Sequence, residues 1–372
     1  MHMLSFHENN HIKYIIIALM ITQIQLLGFK KRLDLSRLTD LSHCFGEANQ
    51  PGVVAFFLPL RHDKLPSWIK KGAAVTKEKG PWIPEIIGDW WQIAGNPDLG
   101  AYQTDRQQPL DFAVWQAMDG TWQLWSCVRR TACGGHDRLF YRWEGDKLTD
   151  RNWRPKGIAL MADPNFGETE GGLQAPYVIR SGDTFYMYYG DWVNICLAIG
   201  WDGKTFARRL NADCLSGLFA EKSGTSTRDP MVMACRGRYY VYYTGVPEGV
   251  GAIFCRTSPD PFSWGNSVIV SSGGSAGNGP SDAECPFVSY LPHDNAFYLF
   301  RAHPDQKSGE YRTSIYRSAD PLDFGVDSDK NLVGSLPFEV VRIIQDGPDL
   351  YISALNSDYT GIRLAKMKWV HV

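Results

Sequence analysis

The sequence repeats itself, and this repeat constrains the fold more than any other feature does. A unit of roughly 40 to 50 residues recurs five times between about residue 96 and the end of the chain. Each unit opens with a short apolar run, passes through a turn rich in Gly, Asp or Asn, and enters a second run dense in aromatic residues. The five opening runs are LDFAVWQA, QAPYVIR, RDPMVMAC, ECPFVSYL and FEVVRII. Such runs bounded by turns predict β-strands, and helical periodicity is nearly absent.

Five similar units predict five similar sheets. The aromatic run is followed by a third run of small or polar residues, and a turn of the D-G-K or D-P type precedes a fourth. Sheets repeated around a ring leave only short, protected edges. A β-sandwich would contain similar strands, but it would lack a unit of such regular composition. We therefore predict an all-β chain, a five-bladed β-propeller with four-stranded antiparallel blades.

The repeat divides the chain into three parts. Residues 96–372 contain all five units and form the predicted propeller domain. Residues 29–95 lack the repeat, so we expect a lead-in segment that closes the ring or caps one face. Residues 1–28 include the apolar run YIIIALMITQIQLL, which is similar to the core of a secretory signal peptide. The basic region before this run is thin and no A-x-A cleavage site follows, so an N-terminal extension is the alternative. A secreted or periplasmic location is expected.

Charge and aromatic content bear on the class of partner. The formal net charge of −2 and the isoelectric point near 6.5 offer no electrostatic surface for nucleic acid or anionic membrane, and we expect neither partner. A neutral substrate fits this balance. Aromatic residues make up 13% of the chain. Most are expected to pack between strands, and a few are candidates for stacking on sugar rings.

The eight cysteines contain no C-x-x-C pair, and most lie inside strand-like runs. This pattern predicts buried free thiols and no disulfide framework or zinc site. A bridge between Cys127 and Cys133 is the alternative for a secreted protein. No metal ion and no cofactor are expected, and the oligomeric state is left open.

Acids in three of the five opening runs are candidates for a site: Asp111 in PLDFAVW, Asp229 in TRDPMVM and Glu284 in AECPFVSY. The innermost strand of every blade lines the central channel, so polar side chains at the openings face one shared funnel. Isolated buried acids are costly, and three of them at inward positions of different blades are hard to explain by structure alone. Cleavage of a glycosidic bond needs such a set, with one carboxyl protonated and another ionised.

Two of these acids lie in motifs that resemble a known family. The sequences TRDP, which contains Asp229, and ECP, which begins at Glu284, resemble motifs of the β-fructosidases of glycoside hydrolase family 32. The wider relatives are the arabinanases, arabinofuranosidases and xylosidases of family 43. The resemblance covers roughly residues 96–372. It implies an enzyme that removes a terminal sugar, arabinose- or fructose-like, from an oligo- or polysaccharide. By the same resemblance, Glu284 is the general acid, Asp111 the base or nucleophile, and Asp229 the residue that raises the pKa of the acid.

The first unit departs from the pattern of these families. Family 32 carries an N-D-P-N-G-like motif there, whereas this chain has LDFAVW. Asp111 is chosen because alignment of the aromatic runs puts it within one residue of the position that Asp229 holds in its own unit. Asp105 is the alternative. The sequence ADPN at residues 162–165 resembles the missing motif but lies between two units, and it predicts a turn. Family 32 retains configuration and family 43 inverts it, and the sequence does not choose between them.

Further residues are candidates for contact with the substrate. Gln174 opens the second unit, Arg228 precedes Asp229, and Arg301 ends an aromatic run. His136 and Trp91 are candidates for walls of a sugar pocket. Two other functions stay open: a noncatalytic carbohydrate-binding propeller, and a propeller that catalyses glycosyl transfer or phosphorolysis. Phosphorolysis would need a basic cluster beside the acids, for which Arg228 and Arg301 are the obvious candidates.

Overall fold

The computed structural model describes residues 80–221 and 226–372. The expected signal peptide or extension at residues 1–28, and residues 29–79 of the expected lead-in, lie outside this part of the chain. The strands of the first two blades and the strand that precedes them are β1 (Trp82–Gly95), β2 (Gln108–Gln116), β3 (Trp122–Arg129), β4 (Leu139–Gly145), β5 (Arg154–Leu160), β6 (Gln174–Ser181), β7 (Thr184–Gly190), β8 (Ile195–Gly200), β9 (Ala207–Arg208) and β10 (Gly217–Phe219).

The remaining strands belong to the last three blades. They are β11 (Arg228–Cys235), β12 (Arg238–Gly245), β13 (Ala252–Ser258), β14 (Val268–Ser272), β15 (Glu284–Leu291), β16 (Ala296–Pro304), β17 (Tyr311–Ser318), β18 (Leu332–Leu336), β19 (Arg342–Asp346), β20 (Asp349–Leu355) and β21 (Gly361–His371). In the described residues, no helix is long and apolar enough to cross a membrane.

The strands form five antiparallel sheets, which confirms the predicted five-bladed β-propeller. Blade one has the order β2-β3-β4-β5, blade three β11-β12-β13-β14, and blade four β15-β16-β17-β18. Blade two has the order β6-β7-β8-β10, and the two-residue strand β9 also pairs with β8. Blade five has the order β19-β20-β21-β1, so its outermost strand comes from the other end of the described chain.

Strand β1 closes the ring by pairing with β21, from Trp82 opposite His371 to Gly95 opposite Gly361. The propeller therefore begins at Trp82, ahead of the boundary expected at residue 96. Strand β1 also contributes Ile93 and Ala94 to the fully buried core. The repeat did not reveal this strand because the rest of its blade follows nearly the whole domain later in the sequence.

Aromatic side chains of the second strands pack between neighbouring blades, as their position in the repeat predicts. The Tyr188 hydroxyl of blade two donates to the Pro261 carbonyl of blade three at 2.5 Å, and the Tyr242 hydroxyl of blade three donates to the Pro321 carbonyl of blade four at 3.0 Å. Both acceptors lie in the D-P turns that recur in the sequence. Each buried ring contributes about 1.5–3 kcal/mol of apolar burial, and the hydroxyl bond ties it to the next blade.

The seven cysteines within the described residues are free thiols. Cys127 is buried in β3, and its thiol donates to the Leu173 carbonyl at 3.3 Å. Cys133 lies in the loop that follows β3, and its thiol contacts the Arg138 carbonyl at 3.4 Å. The expectation of free thiols therefore holds for these residues, and Cys127 and Cys133 do not form a bridge.

Candidate active site

In four blades, the innermost strand has the same register shift near its beginning, at the mouth of the funnel. In blade four, Glu284 pairs with Ala302 and Phe287 pairs with Phe300, so three steps on the inner strand match two steps on its neighbour. The inner strands of blades one, two and three have the same register shift. Each shift is a β-bulge with one extra residue, and bulges re-aim side chains beside functional sites. The bulge therefore decides which side chains at each opening enter the funnel.

The residue inside the bulge has a left-handed backbone in three of these blades. The φ angle is 42° at Ala175, 57° at Asp229 and 49° at Cys285, and Val340 repeats this geometry in blade five with a φ of 54°. Non-glycine residues adopt this conformation at a cost and mostly where the surrounding structure demands it. The repetition makes the four residues that precede them equivalent in position: Gln174, Arg228, Glu284 and Glu339.

Blade one obeys the same register with one difference. Its bulge falls between Pro109 and Phe112, so Phe112 corresponds to Met231 in blade three. Asp111 lies one residue before Phe112, whereas Asp229 lies two residues before Met231. This offset of one residue agrees with the alignment of the aromatic runs.

The structure brings Asp111 and Asp229 together across the funnel. A carboxylate oxygen of each and the Cys285 sulfur lie within 4.8 Å of one another. The Cys285 thiol donates to Asp111 Oδ1 at 3.3 Å, and the Cys285 backbone N–H points to Asp229 Oδ2 at 3.4 Å. Both acids are almost fully buried, with 8% of Asp111 and 2% of Asp229 exposed. Residues of blades one, three and four thus form one cluster.

The environment of Asp111 favours its neutral form. Burial raises the pKa of the Asp111 carboxyl, and the negative charge of Asp229 raises it further, while Arg138 and Arg342 partly oppose both effects. Burial also holds the pKa of the Cys285 thiol well above its usual value. The protonated thiol is a hydrogen-bond donor, and in this structure it donates to Asp111.

Glu284 is held by two donors beside this cluster. Arg228 Nη2 donates to Glu284 Oε1, and the Tyr311 hydroxyl donates to Oε2 at 3.0 Å. Arg228 Nε also lies 3.6 Å from Asp229 Oδ2, so one guanidinium connects the two acids. Burial raises the pKa of the Glu284 carboxyl, Arg228 partly opposes this, and the negative charge of Asp229 adds to it. Glu284 is therefore oriented and biased toward its protonated form.

Glu339 is a fourth acid at the funnel that no sequence motif revealed. It occupies in blade five the position that Glu284 occupies in blade four. Burial raises the pKa of Glu339 to about 7, the bond to Tyr359 lowers it, and the negative charges of Asp111 and Glu284 raise it further. The signal that could have found Glu339 is its place in the opening run FEVVRII.

Gln174 lies where the repeat predicted, at the opening of blade two. It is 4% exposed, and its Oε1 atom has no hydrogen-bond partner among the described residues. Gly190 separates it from Arg228: a Cβ added at Gly190 would lie 3.4 Å from both Gln174 Cβ and Arg228 Cα. An unpaired acceptor beside Arg228 is suited to receive a hydroxyl hydrogen from a bound molecule.

A stacked group of side chains borders the funnel on the side of blades one and two. The His136 ring stacks on the Trp192 ring with 3.8 Å between centroids and 12° between planes. The Arg138 guanidinium lies 5.0 Å from the Trp192 centroid, and its charge acts on Asp111. Close packing fixes the loop, since a Cβ at Gly135 would lie 2.0 Å from the Glu170 carbonyl oxygen. Trp192 was missed because it lies in a hairpin without a motif.

Two other candidates, Arg301 and Trp91, lie away from this cluster. Arg301 is fully buried, and its guanidinium donates to Ser271 Oγ, the Gly273 carbonyl and the Tyr316 hydroxyl. Trp91 packs edge-on against Tyr351 within blade five. These contacts assign structural roles to Arg301 and Trp91.

Asp105 and the ADPN segment are also accounted for. The Asp105 side chain is 95% exposed, and its nearest ion-pair partner is Arg106 at 4.0 Å. Asp163 caps a short 3-10 helix by accepting from the Asn165 backbone N–H at 2.9 Å, which confirms the predicted turn. Asp111 is therefore the blade-one acid that reaches the cluster.

The fold is similar to solved structures, although no family model and no curated protein matches the sequence. A thermostable family-43 glycoside hydrolase is 19% identical with a TM-score of 0.51, covering 75% of this chain and 93% of that one. An endo-arabinase from Bacteroides thetaiotaomicron is 14% identical with a TM-score of 0.55, covering 71% and 95%. A family-32 β-fructofuranosidase from Bombyx mori is 17% identical with a TM-score of 0.51, covering 71% and 60%. The expected resemblance to families 32 and 43 is thus confirmed for the fold.

Proposed function

We propose that this protein is a glycoside hydrolase that removes a terminal, arabinose- or fructose-like sugar from an oligo- or polysaccharide. The observation that carries the proposal is the convergence of buried acids from different blades, in which Glu284 is oriented by two donors and Asp111 contacts Asp229 through Cys285. Hydrolysis of a glycosidic bond requires carboxyl groups with separate roles in one buried site. The names of the structural neighbours support the sugar class, since one acts on an arabinan and another on a fructofuranoside.

The roles of the two acids are divided by the family resemblance and by hydrogen bonding, since burial and the charge of Asp229 raise the pKa of both. Glu284 has a raised pKa and is proposed to donate its proton to the leaving oxygen, with Arg228 and Tyr311 orienting the carboxyl. Asp111 is proposed to act on the anomeric carbon directly or through a water molecule once it has lost its proton, a loss that the charges of Arg138 and Arg342 favour. Asp229 raises the pKa of both acids, and its carboxylate is proposed to accept hydrogen bonds from sugar hydroxyls.

The rim and the opening of blade two complete the proposed sugar site. The unpaired Gln174 Oε1 is an acceptor for a sugar hydroxyl. The Trp192 ring, with His136 stacked on it, is proposed to limit the pocket beside Asp111.

The two other functions are less well supported. A noncatalytic propeller would be favoured if Asp111 pointed away from the other acids, whereas Asp111 is buried against Cys285 and near Asp229. Phosphorolysis needs free cationic groups for phosphate. Arg228 is engaged by Glu284, and Arg301 is engaged by groups of blades three and four, so neither of these two arginines is free.

The test is a screen of aryl glycosides and plant or algal oligosaccharides, with Glu284→Gln and Asp111→Asn as variants and the exposed Asp105→Asn as the matched control. Each active-site variant is expected to lower kcat by about 10²–10⁴-fold on oligosaccharides. On aryl glycosides with acidic leaving groups, the decrease in kcat should be smaller for Glu284→Gln but not for Asp111→Asn. Such leaving groups depart without a proton from the general acid. Near-normal turnover of both variants, or no hydrolysis of any glycoside by the wild type, would contradict the proposal.

A further inference from the structure

Beneath the acids, the central channel contains a small cavity of about 50 Å³. Its lining includes Tyr177 of blade two, Phe287 of blade four and Arg342 of blade five, and the other lining residues are aliphatic. Tyr177 and Phe287 each lie three residues beyond the opening residue of their blade, which puts the cavity roughly 10 Å below the openings. The cavity is therefore distinct from the funnel mouth in which Gln174 and Glu284 lie.

Arg342 is the exception in a ring of apolar residues. By the register of the bulges, its counterparts in the other blades are Phe112, Tyr177, Met231 and Phe287. Its guanidinium carbon lies 5.9 Å from the Tyr177 ring centroid and 6.0 Å from the Phe287 ring centroid. The fifth blade thus puts a positive charge between the rings of blades two and four.

This charge is buried and incompletely paired. Arg342 is 3% exposed, and its Nη1 donates to the Val341 carbonyl at 2.9 Å. Its Nε and Nη2 atoms have no hydrogen-bond partner among the described residues. Arginine stays protonated in proteins, and burying a cation without a hydrogen-bonded counter-charge is costly. Asp111 acts on Arg342 only at a distance, and its Oδ1 atom accepts a hydrogen bond from the Cys285 thiol instead.

The side chains that line the cavity favour a ligand that is negatively charged and accepts hydrogen bonds. Arg342 offers only donors, and the Tyr177 hydroxyl is the one other polar side-chain group among the lining residues. A water molecule would receive these donors but would find few acceptors for its own hydrogens among aliphatic side chains. A cavity of about 50 Å³ has room for one small ion, since a water molecule takes up about 30 Å³ in the liquid.

We propose that Arg342 and this cavity form a binding site for a small inorganic anion, chloride, on the propeller axis. The anion accepts the hydrogen bonds of Arg342 Nε and Nη2 and neutralises the buried guanidinium. The inference does not rest on the proposed hydrolase activity, although the charge of Arg342 also acts on Asp111.

The first test is a crystal of the full-length protein soaked in sodium bromide. An anomalous difference peak in the cavity, beside Arg342 Nε and Nη2, is the expected result. Bromide binds where chloride does and identifies the atom by its scattering. Water density in the cavity without an anomalous signal would overturn the proposal.

The second test measures thermal unfolding in sodium chloride and in sodium sulfate of equal ionic strength. Chloride is expected to raise the Tm of the wild type by about 2–4 °C, as a ligand that binds the native state does. Arg342→Met, which supplies the residue that blade three has at this level, should lose the effect, and the exposed control Arg151→Met should keep it. An equal chloride effect in Arg342→Met would refute the site. If that variant fails to fold, the bromide crystal decides alone.

Discussion

At the scale of single residues, four acidic side chains of the described residues lie at the funnel, and only two of them belong to recognisable sequence motifs. Asp229 and Glu284 stand in recognisable motifs, and Asp111 followed from register, but Glu339 has no motif. Burial raises the pKa of the Glu339 carboxyl to about 7, and the negative charges of Asp111 and Glu284 contribute to this increase. Glu339 thus holds one further proton at the site below about pH 7. The charge state of Glu339 should therefore influence both stability and the pH dependence of the site.

The raised pKa of Glu339 predicts how stability changes with pH. Between about pH 4.5 and 7, the unfolded chain releases this proton before the folded chain does, so the free energy of unfolding falls as pH rises. Glu339→Gln should lessen this fall by about 1–3 kcal/mol. Urea denaturation across this range, with the exposed Glu310→Gln as control, measures the effect. The same pH slope in wild type and Glu339→Gln would show that Glu339 ionises normally.

At the scale of elements, the inner strand and its bulge form the unit that builds the site. The bulge and the left-handed residue recur, so that the same backbone geometry presents Gln174, Arg228, Glu284 and Glu339 from four blades. Evenly paired strands would alternate their side chains between the two faces of each sheet. The extra residue breaks this alternation at the funnel mouth. The strain of the left-handed residues is thus tied to the position of the site.

This strain can be measured by comparing two alanines in inner strands. Ala175 has a left-handed φ of 42°, whereas Ala113 lies in the regular part of β2, and both are buried. Ala113→Gly loses a methyl contact and gains chain entropy in the unfolded state, which should cost about 1–2 kcal/mol. Ala175→Gly has the same losses but relieves about 1–2 kcal/mol of strain, so its net effect should be near zero. Equal destabilisation of the two variants in urea denaturation would contradict the strain.

At the scale of the whole molecule, the ring depends on one long-range pairing. Strand β1 completes blade five from the other end of the described chain, and its Ile93 and Ala94 are fully buried. Without it, β21 would become an exposed edge and the first and last blades would lose their connection.

Two truncated chains isolate the contribution of β1. A chain that begins at residue 96 should be less stable than one that begins at residue 80 by an amount on the order of 5 kcal/mol, given the apolar side chains that β1 buries. Thermal unfolding and size-exclusion chromatography of the two chains measure the difference. The same Tm for both would mean that the ring closes without β1.

The sequence by itself determined the number of blades, the strands that begin them and two of the acids. These features follow from local periodicity and from residues next to one another in the chain, which determine which segments form strands and which ends of them are polar. Trp192 lay beyond this reach because it belongs to no motif, whereas Glu339 stands in the fifth opening run but in no family motif. Arg301 was misread because an arginine at the end of a strand can turn toward the funnel or into the blade, and only packing decides.

The tertiary structure alone decided the rest. The bulges that aim the side chains, the pairing of β1 with β21 and the buried charge of Arg342 all depend on contacts between segments far apart in sequence. The face of the sheet on which a side chain lies follows from local alternation along the strand. The residues that this side chain contacts depend on the arrangement of all five blades. The opening acids were therefore visible in the sequence, whereas their convergence with Cys285, and the cavity beneath them, came from closure of the ring.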